Sequence, residues 1–304
     1  MGPLLPPDPQ RGSPRTVRPS QLTDEKQKKM KIETNISNAE YHASSGLSAS
    51  TITSFGLAGS PHKWRQERRG LSQEMHYGTL VHHWAVDRLD GLPEGFSVKP
   101  AVLEGEPWQG NRKACRQWVD ERKDDFILSN DEIERCKITV EALMNHQDAR
   151  KLLLTEADRE ISVYSRFDNF DEVEVKCRPD LLFDGRSQIA DLKTTRDATP
   201  GAFSKQAANL GYHVKAAWYM DVCEAAGMDI STFWWIAVEI PATVDERPEV
   251  GVYYAYSDSP QIERGRDLYR QWLRQFMDCQ KSDTWPMACQ SPLELQLPAW
   301  AFKG

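Results

Sequence analysis

The residues best placed to do chemistry are two aspartates and a lysine: Asp180, directly after Pro179, and then Asp191-Leu192-Lys193. They sit in the stretch Val173 to Thr195, which reads as two β-strands joined at Asp184-Gly185. That dipeptide accepts the positive φ of a tight hairpin turn. Val173, Val175, Cys177 and Leu181-Leu182-Phe183 make the first strand, and Gln188 to Thr194 returns as the second. Residues two apart on a strand leave the same face, so Asp191 and Lys193 project together while Leu192 points into whatever packs behind. Asp180 then lies opposite, across the hairpin. Two carboxylates beside an ammonium suit a hard divalent cation such as Mg²⁺, which takes oxygen ligands and keeps several waters. An ion so held lowers the pKa of a bound water and stabilises charge on a phosphoryl oxygen, and the lysine can orient or deprotonate that water. A lone D-x-K also matches an ordinary surface ion pair on an alternating strand, so the spacing alone leaves both readings open.

Two helices must bring further groups to this hairpin. Glu74 to Leu89, closed by Asp90-Gly91, carries a stripe of Tyr77, Val81, Trp84 and Ala85 at helical spacing, with Gly78-x-x-x-His82 along it. His82 borders that stripe, as a satisfied core histidine or as a site residue. His83, about 100° further round, is expected outside the site. Downstream, Tyr212 to Ala226 reads as an amphipathic helix stopped by Gly227, with Lys215 and Tyr219 on one face.

Taken together, Pro179-Asp180, Asp191-Leu192-Lys193, the upstream G-x-x-x-H and the downstream Lys215-x-x-x-Tyr219 resemble the signature of PD-(D/E)XK nucleases of the RecB-like branch. Lysine stands at 215 where that branch has glutamine; it can still bind a phosphate but cannot accept a hydrogen bond. Closer matching narrows the resemblance to the nuclease domain of RecE-like exonucleases (exonuclease VIII). Tyr41-His42-Ala43, Gly46-Leu47-Ser48, Trp64-Arg65, Gly78-Thr79 with His82, Cys177-Arg178-Pro179-Asp180, Asp191 to Thr195, Tyr212-His213-Val214 and Trp285-Pro286 carry it, over about residues 40 to 302.

The resemblance implies an α/β fold of the restriction-endonuclease-like kind: a mixed central sheet, an antiparallel hairpin carrying the site, and helices on both faces. It implies a Mg²⁺-dependent 5′→3′ exonuclease, with Mn²⁺ able to substitute, that releases mononucleotides from double-stranded DNA ends and leaves a 3′ single strand. Asp180, Asp191, the Leu192 carbonyl and His82 would surround the metals, Glu160 standing where some relatives place a further acid. Lys193 would handle the attacking water. Lys215, Tyr219, Arg178 and Thr194 would contact DNA. The family's ring assemblies, tetramer or trimer, suggest a homo-oligomer encircling the duplex. A RecT-like single-strand annealing protein is the implied partner, and a bacterial host cytoplasm, with a phage or prophage source, the implied setting. An endonuclease or single-strand nuclease keeps the chemistry and changes the substrate. A non-catalytic DNA-binding module on the same fold is the rival from another class; it gives no reason to gather two acids where phosphate must lie.

Composition narrows the field without deciding it. The chain has 304 residues and a net charge of −7. That charge does not advertise a nucleic-acid binder, but affinity for phosphate depends on where the basic groups sit. Six scattered cysteines form no C-x-x-C pair, so a zinc site, an iron–sulfur cluster or a disulfide framework is not expected, and their use suits a reducing compartment. The most apolar run, Phe233 to Ile240, is too short to span a bilayer.

Residues 1–29 read as a disordered leader, and 30–304 as one nuclease domain: a helical part over 46–155, a catalytic sheet core over 156–260, and a C-terminal helix and tail over 261–304. Ser48 or Ser50 caps a short helix ending near Gly56, and Ser60-Pro61 opens another. That second helix carries His62, Lys63, Arg65, Arg68 and Arg69, either a solvated face or a phosphate track. Asn111 to Asp124 reads as a charged helix, and Ser129 with Glu132 as a capping box opening the next, striped by Ile133, Val140, Leu143 and Met144. Glu160 to Phe167 is expected as a strand turning at Asp168-Asn169; Glu160 serves equally as an exposed acid at its start. Pro200 to Asn209, then Pro260 to Gln280 with Leu268, Trp272 and Phe276 inward, complete the helices. Phe233 to Ile240 and Val250 to Ser257 complete the sheet.

Overall fold

The computed structural model describes residues 31–34, 36–67, 73–170, 173–183, 185 and 187–302. The expected leader, Arg68, Arg69 and turn residue Asp184 lie outside them. The strands in chain order are β1 (Lys31–Glu33), β2 (Leu47–Ser48), β3 (Phe96–Val98), β4 (Val102–Leu103), β5 (Glu106–Pro107) and β6 (Phe126–Leu128). Then follow β7 (Ala157–Arg159), β8 (Ser162–Phe167), β9 (Val173–Cys177), β10 (Leu181–Phe183), β11 (Gln188–Thr195), β12 (Thr232–Glu239) and β13 (Val250–Tyr256). A five-stranded mixed sheet has the order β13-β12-β11-β10-β7, and a four-stranded one the order β1-β8-β9-β2. The five-stranded sheet is the mixed central sheet expected from the sequence, and the four-stranded one is a second sheet beside it.

The reason lies in the hairpin that carries the acids. β8 pairs antiparallel with β9, with Val163 opposite Cys177, and β7 pairs antiparallel with β10, with Arg159 opposite Leu181. The expected Val173–Phe183 strand breaks at Arg178-Pro179-Asp180, and at the same level Glu160-Ile161 separates β8 from β7, a short strand that was not expected before it. Pro179 has no N–H to give a ladder, which favours a break there. Each strand steps from one sheet to the other, and Glu160 and Asp180 stand at the joint. The second hairpin is as expected: Leu181 faces Ala190 in β11, so Asp180 lies level with Asp191.

β12 is buried on both faces, and its side chains alternate between two cores. Phe233, Trp235 and Ala237 join Ile52, Phe55, Trp218, Leu273 and Phe276 under the helices Ala49–Leu57, Tyr212–Ala225 and Pro260–Ser282. Trp234, Ile236 and Val238 join Leu80, Val81, Leu143, Leu153 and Leu192 under Gln73–Ala85, Asn130–Asn145 and Gln147–Leu154. Helices thus cover both faces. Ser48, Ser60 and Ser129 cap their helices, the last in a full capping box with Glu132.

Several local expectations change. The Tyr212–Ala225 helix is not amphipathic: Ala216 to Cys223 are all buried, because it lies between the sheet and the Pro260–Ser282 helix. In that second helix Ile262, Gly265, Tyr269, Leu273, Phe276 and Cys279 are the buried residues, while Leu268 and Trp272 only flank the core. The charged helix shortens to Lys113–Asp120, and the region before residue 130 holds two small sheets, β3 with β6 and β4 with β5. No helix among the described residues is long and apolar enough to cross a membrane.

Candidate metal centre and cleft

A cleft of about 1170 Å³ opens over the joint between the sheets. His82, Glu160, Asp180, Leu192, Lys193, Thr194, Lys215 and Tyr219 all line it, so residues far apart in sequence meet there. The G-x-x-x-H helix comes close because of its glycine. A Cβ on Gly78 would stand 3.1 Å from Thr194 Oγ1, so a side chain there would press against β11. One turn further on, His82 reaches the joint.

His82 is ringed by acids. Its Nε2 lies 3.1 Å from Glu160 Oε1 and 3.4 Å from Asp180 Oδ2, and its Nδ1 lies 3.5 Å from Asp87 Oδ2. Burial alone would lower the imidazole pKa, but Asp180 foremost, with Asp87 and Glu160, raises it well above the ordinary histidine value. Asp180 is buried too, yet His82 and the two lysines hold its carboxyl well below the ordinary range. Asp180 Oδ2 also accepts from Leu192 N–H at 2.7 Å, which ties the acid to β11.

Asp191 is the most enclosed member, its side chain without exposed surface. Lys215 Nζ donates to its Oδ1 at 2.9 Å, and Lys193 Nζ sits against its Oδ2. Lys193 Nζ also donates to the Leu192 carbonyl at 3.2 Å. Burial first, then Lys215, brings the Lys193 ammonium down to about 7, against the pull of Asp180. Lys215 moves the other way: Tyr219 and Asp180 outweigh its burial and raise it. Its Nζ lies 5.0 Å from the Tyr219 ring centre. Of two neighbouring amines, one is held neutral-leaning and the other cationic.

The imidazole Nε2, the carboxylates of Glu160 and Asp180, and the Leu192 carbonyl make a donor set that fits a divalent cation, with Asp87 on the Nδ1 side of the ring. His82, Asp87 and Glu160 bring ligand atoms within 4.8 Å of one another. Asp191 stands apart, with both oxygens on lysines, so a cation reaching it would displace an ammonium. Asp87 was not picked out from the sequence. The helix ends at Ala85 and the Asp87 N–H turns back to the His82 carbonyl at 3.2 Å, placing its carboxylate beside the ring. No motif spacing signals that bend.

Other expectations meet corrections. His83 lines the cleft as well, although the helical offset put it outside. Arg178 lines the cleft, but its side chain is only 10% exposed and is bonded to Glu160, Ile36 and Ser37. Lys63 and Arg65 are not in the cleft lining, and Arg65 is paired with Asp283 at 2.9 Å and stacked on Trp285. Glu160 is a partner of His82 and Arg178 rather than an idle acid at a strand start.

With this geometry in place, comparison with known proteins is informative. A family profile described as a PDDEXK-like domain of unknown function (DUF3799) matches residues 54–292. A search of the curated proteins found no match. Among solved structures, a candidate exonuclease from Eubacterium rectale superposes with a TM-score of 0.58 at 10% identity, covering 89% of this chain and 99% of that one. A phage related exonuclease from Haemophilus somnus 129PT gives a TM-score of 0.35 at 11% identity, covering 81% and 100%. The first of these likenesses is one of fold.

Proposed function

The chain belongs to the PDDEXK-like family, whose profile spans most of its length, and from that premise we propose that the cleft is a divalent-metal-dependent nuclease centre. The observation that carries the reading is the meeting of His82, Asp87, Glu160, Asp180 and Lys193 in one cleft. A purely structural ion-pair network gives no reason to crowd three carboxylates around one imidazole. Their mutual repulsion is relieved by a cation.

Asp180, Glu160 and His82, with the Leu192 carbonyl, would hold the metal; Mg²⁺ suits the oxygen donors, and Mn²⁺ tolerates the imidazole. When bound, that ion supplies an acidified water and offsets charge at the phosphate. Lys193 is poised to take a proton from a water at its Nζ, because its amine is neutral in appreciable fraction near pH 7. Lys215 fixes the Asp191 carboxylate and keeps a positive charge in the cleft for a phosphate. Tyr219 packs beneath Lys215.

The finer reading is a 5′→3′ exonuclease on duplex DNA ends, supported by the RecE-like motifs. A ring of subunits around the duplex, handing a 3′ strand to an annealing protein, belongs to the same proposal. The test is digestion of a linear duplex labelled at one 5′ end, with Mg²⁺ and with covalently closed circular duplex alongside. Early release of labelled mononucleotide with the circle spared is expected; nicking of the circle contradicts exonuclease action.

A further inference from the structure

Arg178 spends every side-chain nitrogen inside the protein. Nε donates to the Glu160 carbonyl at 3.0 Å and lies 2.8 Å from Glu160 Oε2. Nη2 donates to the Ile36 carbonyl at 2.7 Å and Nη1 to the Ser37 carbonyl at 3.3 Å. The guanidinium also lies over the Tyr41 ring, 5.4 Å from its centre.

Glu160, which it grips twice, has a φ of 49°. A non-glycine residue holds that left-handed conformation only where its surroundings over-determine it. Here the turn carries the chain from β7 to β8, from one sheet to the other. Arg178 occupies the matching joint on the opposite pair of strands, so it can span the gap. Because Oε2 is on Arg178, the other oxygen, Oε1, is left facing His82 Nε2 at 3.1 Å.

We infer that Arg178 is a positioning residue for metal binding: it locks the Glu160 turn and aims Glu160 Oε1 into the His82–Asp180 cluster. The inference rests on the metal-dependent reading of that cluster. A guanidinium suits the task, since Nε faces both the carbonyl and the carboxylate of Glu160 while the two Nη arms anchor the rigid group on the Ile36 and Ser37 carbonyls; an ammonium is a single point.

The test is Mn²⁺ binding by isothermal titration calorimetry on the full chain without DNA, with thermal unfolding in parallel. Arg178→Gln is expected to weaken Mn²⁺ binding by about 10–100-fold, the usual effect of losing an outer partner of a metal ligand, and Glu160→Gln, which removes the ligand itself, by at least as much. The double variant is expected to bind no more weakly than Glu160→Gln alone, because Arg178 acts through Glu160. Wild-type affinity in Arg178→Gln, or losses that multiply in the double variant, would overturn the inference. Should Arg178→Gln fail to fold, Arg178→Lys keeps the charge without the fork; it is expected to bind Mn²⁺ more weakly than wild type, and equal binding counts against the inference. Asp180→Asn separates the two claims. If it too leaves Mn²⁺ binding intact, the metal site itself is misassigned; if it weakens binding while Arg178→Gln does not, only the positioning role fails.

Discussion

His82 shows how neighbouring acids set the protonation of one imidazole. Metal binding needs a neutral Nε2, whereas the acids around the ring favour its protonated form well above the ordinary histidine pKa. A cation must therefore displace a proton, and its affinity is expected to rise with pH through neutrality, by up to roughly tenfold per unit while the imidazole stays charged in the free protein. Mn²⁺ titrations at several pH values would show this slope, and His82→Gln should flatten it; an unchanged slope in the variant would place the displaced proton elsewhere. Asp87 sits on the Nδ1 side of the ring, opposite Glu160 and Asp180. It is placed to hold the Nδ1 proton and leave Nε2 to the metal, as carboxylate partners of metal-bound histidines do. Asp87→Asn is expected to weaken metal binding less than Asp180→Asn does, measured in the same titration. At this scale Asp180, Asp191 and Lys193 were legible because strand periodicity and a hairpin turn place them. Asp87 was not, because it depends on where a helix frays, and neither was the bonding of Arg178 to Glu160, because sequence marks a cation without its direction.

The elements act as spacers that hold the cleft at its width. β11 is gripped on one side by the Gly78 turn and on the other by the Tyr212–Ala225 helix, whose Lys215 reaches Asp191. That helix is pinned in turn by Pro260–Ser282 at a close crossing. A Cβ on Gly265 would stand 2.3 Å from the His213 carbonyl oxygen and 2.9 Å from Ala217 Cβ. Gly265→Ala must push the two helices apart, and is expected to cost about 1–3 kcal/mol by overpacking, read from urea unfolding. The same shift should reduce cleavage by moving Lys215, although residue 265 touches no part of the cleft. Element types and most boundaries could be read from periodicity and caps: the structure has Pro200–Asn209 and Gln188–Thr195 almost as expected. The break of two strands at one level could not be read, since apolar alternation runs on through Pro179 and only pairing in three dimensions assigns each half to a sheet. The Tyr212–Ala225 helix looked amphipathic for a related reason: its tyrosines, Lys215 and Asp221 are polar tips on an enclosed element. Asp221 is buried against Arg266, Arg270 and Tyr269.

Across the whole molecule, the proposed nuclease reading requires a net charge of −7 to coexist with binding a polyanion, so it needs cations concentrated where the phosphates would pass. Lys193 and Lys215 are in the cleft, whereas Arg65 is committed to Asp283 and Trp285, where Trp285 stacks on Trp64 with ring centres 5.5 Å apart. Arg65→Ala is accordingly expected to leave duplex affinity unchanged while quickening proteolysis beyond residue 283; the exposed ion pair contributes about 1 kcal/mol or less. Composition offered no apolar run long enough for a membrane-spanning helix and no paired cysteines, but it could not tell a cleft cation from a tail clasp. The central claim, that acids at the junction of two sheets seat a cation for phosphodiester cleavage, is tested most directly by Asp180→Asn and Asp191→Asn beside wild type on a linear duplex. With Mg²⁺ the wild-type protein should degrade the DNA and chelation should stop it. Both variants should remain folded and inactive. Digestion at the parental rate by either variant, or by wild type in excess chelator, would contradict it.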